Sequence, residues 1–268
     1  MTWHGPFRLK KIEGEVEDKL TKQYVKDAKY DGSIMDFTTV SNDDMYNSIK
    51  NFFWYNGEVL KVGVPRNSIL QNTTDDVLRK VYNTFNIPKD KKIAFYCPTF
   101  RDNGDVSVYN FNYNKVLDAL ESKFSSEYVL LIKFHPNVKV EDVKFIQYGN
   151  RIINANCYND TIELLACADV CITDYSGLMF DGMAFKKKVF LFANDFESYG
   201  KGRGFIFDLT KLPAEIATTQ EKLIKNIYDF NKESYLNRCK EFFNEIGLVE
   251  KDTSLEVICN KIYEIIGV

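Results

Sequence analysis

Three residues of this chain carry the chemistry of an anion site: Arg101, His135 and Ser176. An arginine offers a phosphate a planar two-pronged contact and a histidine offers a further donor. The segment Thr173-Asp174-Tyr175-Ser176-Gly177 is the most telling. A small hydroxyl residue and a glycine opening a helix present backbone N–H groups and the positive end of the helix dipole, which suits a phosphate. Singly, each residue has a plainer reading. Ser176 reads as a helix cap, Arg101 as a surface partner of Asp102, and His135 as a buried histidine satisfied by a backbone carbonyl. His4 lies so near the chain start that solvation is the commoner fate of such a residue. The glycine-rich stretch around Arg203 reads as a loop that closes over a ligand or does nothing of the kind.

The elements that must position these residues follow from periodicity. Short apolar, β-branched or aromatic runs at 59–64, 93–97, 128–134, 151–153, 169–173 and 188–193 read as strands, and the segments between them have helical period. Capping residues mark the helix starts: Ser41 with Asp44, Thr73 with Asp76, Asp160, Thr218 with Glu221 and Thr253 with Glu256. From about residue 86 the alternation predicts an α/β fold with a parallel sheet covered on both faces. The proline-bearing segment 87–90 interrupts both periods and reads as the boundary between two parts of the chain. In open parallel sheets ligands bind beyond the carboxyl ends of the strands, and Arg101, His135, Ser176 and Asp195 all follow such ends.

Composition narrows the function classes. The 268 residues carry 35 Lys+Arg against 38 Asp+Glu, a net charge of −3, which argues against a dedicated nucleic-acid binder. The hydrophobic fraction of 45% with 27% charged residues excludes disorder and supports one or two packed domains. No apolar stretch approaches the roughly 18 residues needed to cross a bilayer. The six cysteines lack C-x-x-C spacing and read as free thiols of a reducing compartment, and the chain has only two histidines. Neither a zinc site nor any other metal cluster is recognisable.

Six motifs occur in order. They are Thr2-Trp3-His4-Gly5, Gly63-Val64-Pro65-Arg66-Asn67, Tyr96-Cys97-Pro98-Thr99-Phe100-Arg101-Asp102, Phe134-His135-Pro136-Asn137, Ile172-Thr173-Asp174-Tyr175-Ser176-Gly177-Leu178-Met179-Phe180-Asp181 and Arg203-Gly204-Phe205-Ile206-Phe207-Asp208. This succession resembles the CDP-glycerol glycerophosphotransferase family, bacterial enzymes that build teichoic-acid and capsule-like polymers. The resemblance implies a GT-B architecture, two Rossmann-like halves facing a cleft. It also implies transfer of glycerol phosphate from CDP-glycerol to an acceptor hydroxyl, with release of CMP. On this resemblance His4 and His135 are the catalytic candidates, with His4 as general base. Thr99, Arg101, Asp174, Ser176, Gly177, Asp195 and Arg203 are the donor-binding candidates.

No cofactor is expected beyond the donor, and the expected partners are CDP-glycerol and a polymer or lipid-linked acceptor, not nucleic acid. The location implied is cytoplasmic, with peripheral attachment to the membrane face. The resemblance departs at Gly177, where serine is common, and at Pro6, where threonine is common. Members also carry well over a hundred residues before the Trp-His-Gly motif, so the N-terminal half reads as incomplete. The expected division is residues 1–70 for the remainder of the acceptor-side domain, 71–240 for the nucleotide domain and 241–268 for a C-terminal helix packing back toward the first. A partner chain would then complete the acceptor domain. The competing readings are a nucleotide-sugar GT-B glycosyltransferase and a truncated, non-catalytic cytidine-nucleotide-binding or accessory protein.

Overall fold

The computed structural model describes residues 1–2, 5–199, 204–249 and 254–267. Near the start of the chain β1 (Phe37–Val40) and β2 (Glu58–Lys61) pair in parallel, with Thr38 opposite Val59. The helix Asp43–Phe52 makes the crossover, starting where the Asn42 side chain accepts from the Met45 amide at 2.8 Å. Met45 and Ile49, four residues apart and so on one face, are wholly buried there. The cap is Asn42, one residue past the expected Ser41.

The remaining strands form a six-stranded parallel sheet: β3 (Lys92–Tyr96), β4 (Tyr128–Ile132), β5 (Ile152–Asn154), β6 (Val170–Thr173), β7 (Lys188–Phe192) and β8 (Ile216–Ala217). Their spatial order is β5-β4-β3-β6-β7-β8. Ile93, Phe95, Leu131, Cys171 and Leu191 face one core, while Ala94, Tyr96, Leu130, Ile172 and Phe190 face the other. Period-two alternation between two apolar layers is what a doubly covered sheet requires. The helices Thr161–Cys167, Leu178–Ala184 and Lys232–Glu245 cover the first face; Tyr113–Phe124 and Gln220–Asp229 cover the second.

The helix Asp75–Thr84 buries Val81 in the first core, so the turn at 87–90 joins this helix to β3 and does not separate two bodies. Two of the helix starts again fall one residue later than expected, at Thr74 and Thr219, whereas Asp160 accepts from the Ile162 and Glu163 amides as its position predicts. Thr253 lies outside the described residues. Two strands escaped the sequence reading. In β1 the buried threonines Thr38 and Thr39 break the apolar run, and β8 has only two residues.

The start and end of the chain are tied into this frame. Phe7 meets Phe180, Phe207 and Phe242 edge to face, with ring centroids 5.0, 5.5 and 5.9 Å apart, a favoured arrangement for aromatic pairs. Arg8 is buried against Glu15 and Asp44, and the Ile206 amide donates to the Leu9 carbonyl at 2.9 Å. At the other end the helix Ser254–Ile266 returns to β2, where the Ser254 hydroxyl donates to the Val62 carbonyl and Lys261 pairs with Glu58 at 2.9 Å. All six cysteines are free thiols. No helix of the described residues is long and apolar enough to cross a membrane.

Replacing Phe7 by Ala removes a ring from the meeting point of four aromatic side chains. Urea unfolding should show a loss of about 3 kcal/mol, the usual cost of deleting a buried phenyl ring.

Candidate functional site

Chain order and spatial order disagree at one place in the sheet. From β3 the chain winds outward through β4 and β5, then returns beside β3 as β6 and winds the other way. The loops after β3 and β6 therefore leave in opposite directions and open a crevice between them, the place where such sheets bind ligands. Just beyond the strands the pair still holds, through the Cys97 amide to the Ile172 carbonyl at 3.1 Å and the Thr173 hydroxyl to the Cys97 carbonyl at 2.6 Å. The chain then parts at Thr99 on one side and Asp174 on the other.

Arg101 occupies the parting point. It is 5% exposed, and its guanidinium donates from Nε to Asp195 at 2.6 Å, from Nη2 to Asp195 at 3.1 Å and to Asp174 at 2.8 Å, and from Nη1 to the Thr99 carbonyl. Four of the five N–H donors of an arginine are thus engaged. The two-pronged contact expected of Arg101 is made, but to carboxylates of its own chain. The plainer reading, a surface pair with Asp102, also fails, because the side chain turns inward.

Asp174 accepts in addition from the amides of Thr99 at 2.8 Å and Tyr175 at 2.6 Å. Burial pushes the Asp174 carboxyl up, while Arg101 and the Thr99 amide pull it down. Arg101 is desolvated too, yet two facing carboxylates raise it above its ordinary value and keep it a cation. Three tyrosines enclose the cation. Its central carbon lies 4.8 Å from the Tyr199 ring, 5.2 Å from Tyr175 and 6.0 Å from Tyr109. Tyr175 and Tyr199 stack at 3.7 Å with an interplanar angle of 4°, and the Tyr175 hydroxyl donates to Asp195 at 3.1 Å.

Beyond the cage lies a cavity of ≈ 370 Å³ bounded by Lys10, Asp102, Asp195, Tyr199 and Phe205. The Lys10 ammonium stands 4.1 Å over the Tyr199 ring. Sequence reasoning passed over these tyrosines. Only Tyr175 carried a local signal, an aromatic residue beside the motif carboxylate Asp174, which a search for charged ligands does not weigh.

His135 leaves β4 exposed, not buried as its flanking residues suggested. Its Nδ1 accepts from the Asn137 amide at 3.2 Å, and its ring lies 5.6 Å from Phe100, the neighbour of Arg101. An accepting Nδ1 places the proton of the neutral ring on Nε2, which is left as a donor. The Ser176 hydroxyl accepts from the Leu178 amide at 3.2 Å and opens the helix Leu178–Ala184, with Gly177 in ordinary helical geometry. Arg101, Asp174, Asp195 and Thr99 are thus in direct contact. Ser176 and Gly177 adjoin them through Tyr175, and His135 through Phe100. His4 and Arg203 lie outside the described residues. Among the described residues no group of three His, Cys, Asp or Glu side chains could hold a metal ion.

One buried carboxylate has a different task. Asp181, four residues into the same turn and helix, accepts from Arg66 Nη2 at 2.7 Å and Asn67 Nδ2 at 2.8 Å. It has no solvent exposure, and burial pushes its carboxyl up to about 6 despite Arg66.

Comparison with known proteins bears on this arrangement. The family model described as CDP-Glycerol:Poly(glycerophosphate) glycerophosphotransferase matches residues 1–264. The chain belongs to this family. It is 29% identical to a teichoic acid poly(glycerol phosphate) polymerase of Bacillus spizizenii over 96% of its own length and 68% of that protein's. It is 28% identical to a teichoic acid glycerol-phosphate transferase of Staphylococcus aureus, covering 98% of this chain and 70% of the relative. A Staphylococcus epidermidis poly(glycerol phosphate) polymerase is 30% identical over 98% of this chain, which spans 38% of that relative. The solved structure of the wall teichoic acid polymerase TagF superposes with a TM-score of 0.80 at 29% identity, covering 99% of this chain and 67% of that one. The fold of this family member is accordingly α/β and GT-B-like, with the parallel sheet where the resemblance implied it.

Two measurements probe the charges described above. Replacing Arg101 by Ala leaves Asp174 buried without its countercharge, and urea unfolding should show a loss of about 3–5 kcal/mol. For Asp181 the folded carboxyl, at about 6, lies above the ordinary 3.8, so the native state binds the proton more tightly than the unfolded chain. The stability this confers is complete below about pH 4 and lost as pH rises through about 6. Against an Asp181→Asn variant, the parent should lose on the order of 3 kcal/mol across that window, whereas superimposable pH profiles would contradict the raised value.

Proposed function

We propose that this chain transfers glycerol phosphate from CDP-glycerol to a hydroxyl of a teichoic-acid or capsule-like polymer and releases CMP. The observation that carries the reading is the crevice between β3 and β6, with the Thr99–Arg101 loop on one side and the Asp174–Gly177 turn on the other, in a chain of this family. The donor's diphosphate would lie at that crevice, against the helix start at Ser176 and Gly177, with His135 Nε2 donating to an oxygen on it. Arg101 acts from beneath, as the charged post that Asp174 and Asp195 hold and from which both loops take their shape.

In the step itself the acceptor oxygen attacks the glycerol-bearing phosphorus and the bond to the CMP phosphate breaks. His4 takes the hydroxyl proton, and the departing CMP carries the charge released. Phosphoryl transfer asks little covalent help of the protein, so positioning and oriented donors account for most of the acceleration. Residues 1–70 belong to the acceptor side, 71–240 to the nucleotide side, and 241–268 to the helix that returns to the acceptor side. We place the reaction at the cytoplasmic face of the membrane, where a lipid-linked or polymeric acceptor is met and where a partner chain would complete the acceptor-side domain.

CDP-glycerol and CMP should each raise the melting temperature. At a hundred times Kd the stabilisation is about 2.7 kcal/mol. A shift with UDP-sugars in place of cytidine nucleotides would move the assignment to a sugar transferase. Because His135 is exposed, His135→Ala should keep the fold while slowing CMP release at least ~10²-fold.

A further inference from the structure

The turn Gly63-Val64-Pro65-Arg66-Asn67 reads in sequence as punctuation after a strand, yet two of its side chains cross to the helix that begins at Ser176 and Gly177. Arg66 and Asn67 donate to Asp181 at 2.7 and 2.8 Å, and Asn67 is itself wholly buried. One residue earlier on the helix, Phe180 receives Phe7 edge to face at 5.0 Å. Both acceptor-side connections, the one that follows His4 and the one that follows β2, therefore end on adjacent residues of a single helical turn. That turn lies about 6 Å along the helix axis from the Ser176–Gly177 start.

The helix packs closely on the sheet. A Cβ on Gly182 would meet the Val189 side chain at 2.9 Å, so the glycine lets the helix lie directly on β7. A shift of residues 63–67 against the donor turn must then stretch or break the contacts to Asp181. Nor does packing explain an acid at this place. A buried carboxylate is costly, and an apolar residue of similar volume commonly serves stability as well or better. Arg66 keeps part of its side chain in water and needs no buried partner of its own.

We propose that Asp181 is a positioning residue, whose carboxylate fixes the Gly63–Asn67 turn, and with it the acceptor side, against the donor-phosphate turn for the transfer step. This role rests on the transfer reaction proposed above. It differs from that of Arg101, which shapes the crevice from within the donor side.

The full chain and its Asp181→Asn, Arg66→Ala and Arg66→Lys variants should be compared at about pH 7.5 in three measurements: melting temperature, CMP affinity by calorimetry, and CMP released from CDP-glycerol. Asp181→Asn keeps the shape and removes the charge. It should melt at or above the parent temperature, bind CMP within about twofold, keep KM within about twofold, and release CMP on the order of 10- to 100-fold more slowly, the cost of a misplacement of about 1 Å. Arg66→Ala should share the loss in kcat, and Arg66→Lys should recover most of it.

An Asp181→Asn variant as fast as the parent overturns the proposal. So does a variant whose rate falls only alongside its melting temperature and CMP affinity, because that pattern marks a structural role. A parent chain that binds CMP but releases none from CDP-glycerol overturns the transfer reading first and this role with it. That failure is seen without any variant, so the two are separable.

Discussion

The site depends on one desolvated cation. Arg101 lies where the sheet changes winding direction, and the backbone there has just lost its strand partners. Two loops parting at such a place would normally be loose. Asp174 from the β6 side and Asp195 from the β7 side both close on the guanidinium, and the Thr99 carbonyl and amide lock the β3 side to the same cluster. A buried ion cluster of this kind is weak evidence for stability, because desolvation offsets much of the attraction. What it supplies is a fixed relation among three strand exits. The flanking tyrosines keep water from the cation and strengthen that relation.

The seven-residue helix Leu178–Ala184 extends the relation outward. Its start follows directly on Asp174 and Tyr175, and its first turn takes the aromatic and polar contacts from residues 7 and 66–67. One rigid element thus registers the ion cluster, the Asp174–Gly177 turn and the segments around residues 7 and 66–67 against one another. The same economy holds at the other end of the chain, where the last helix returns to β2 through Ser254 and Lys261.

Much of this was legible in the residues. Five of the six strands of the large sheet, their parallel sense and the delivery of Arg101, His135, Ser176 and Asp195 to one edge follow from periodicity and the handedness of βαβ units. The six ordered motifs identified the family. Three helix starts were misplaced by a residue where two capping residues stand side by side, at Ser41-Asn42, Thr73-Thr74 and Thr218-Thr219, because local composition does not choose between adjacent hydroxyl or amide caps. Side-chain direction was the deeper limit. Nothing local to Arg101 says that its partners lie 73 and 94 positions later in the chain, or that Asp181 would be claimed by a turn more than a hundred residues earlier. Such pairings are decided by the packed sheet.

Gly177 shows what the backbone leaves open. It stands in right-handed helical geometry, and a Cβ added there would meet no atom within 4 Å. The position therefore needs glycine neither for its dihedral angles nor for room, and a serine would fit without moving a neighbour. The Ser176–Gly177 turn has in this way a vacancy that is chemical and not steric. A hydroxyl can be added to this turn with no clash and no backbone strain, so the chemistry of its surface can change, in evolution or by design, while the architecture behind the turn stays as it is.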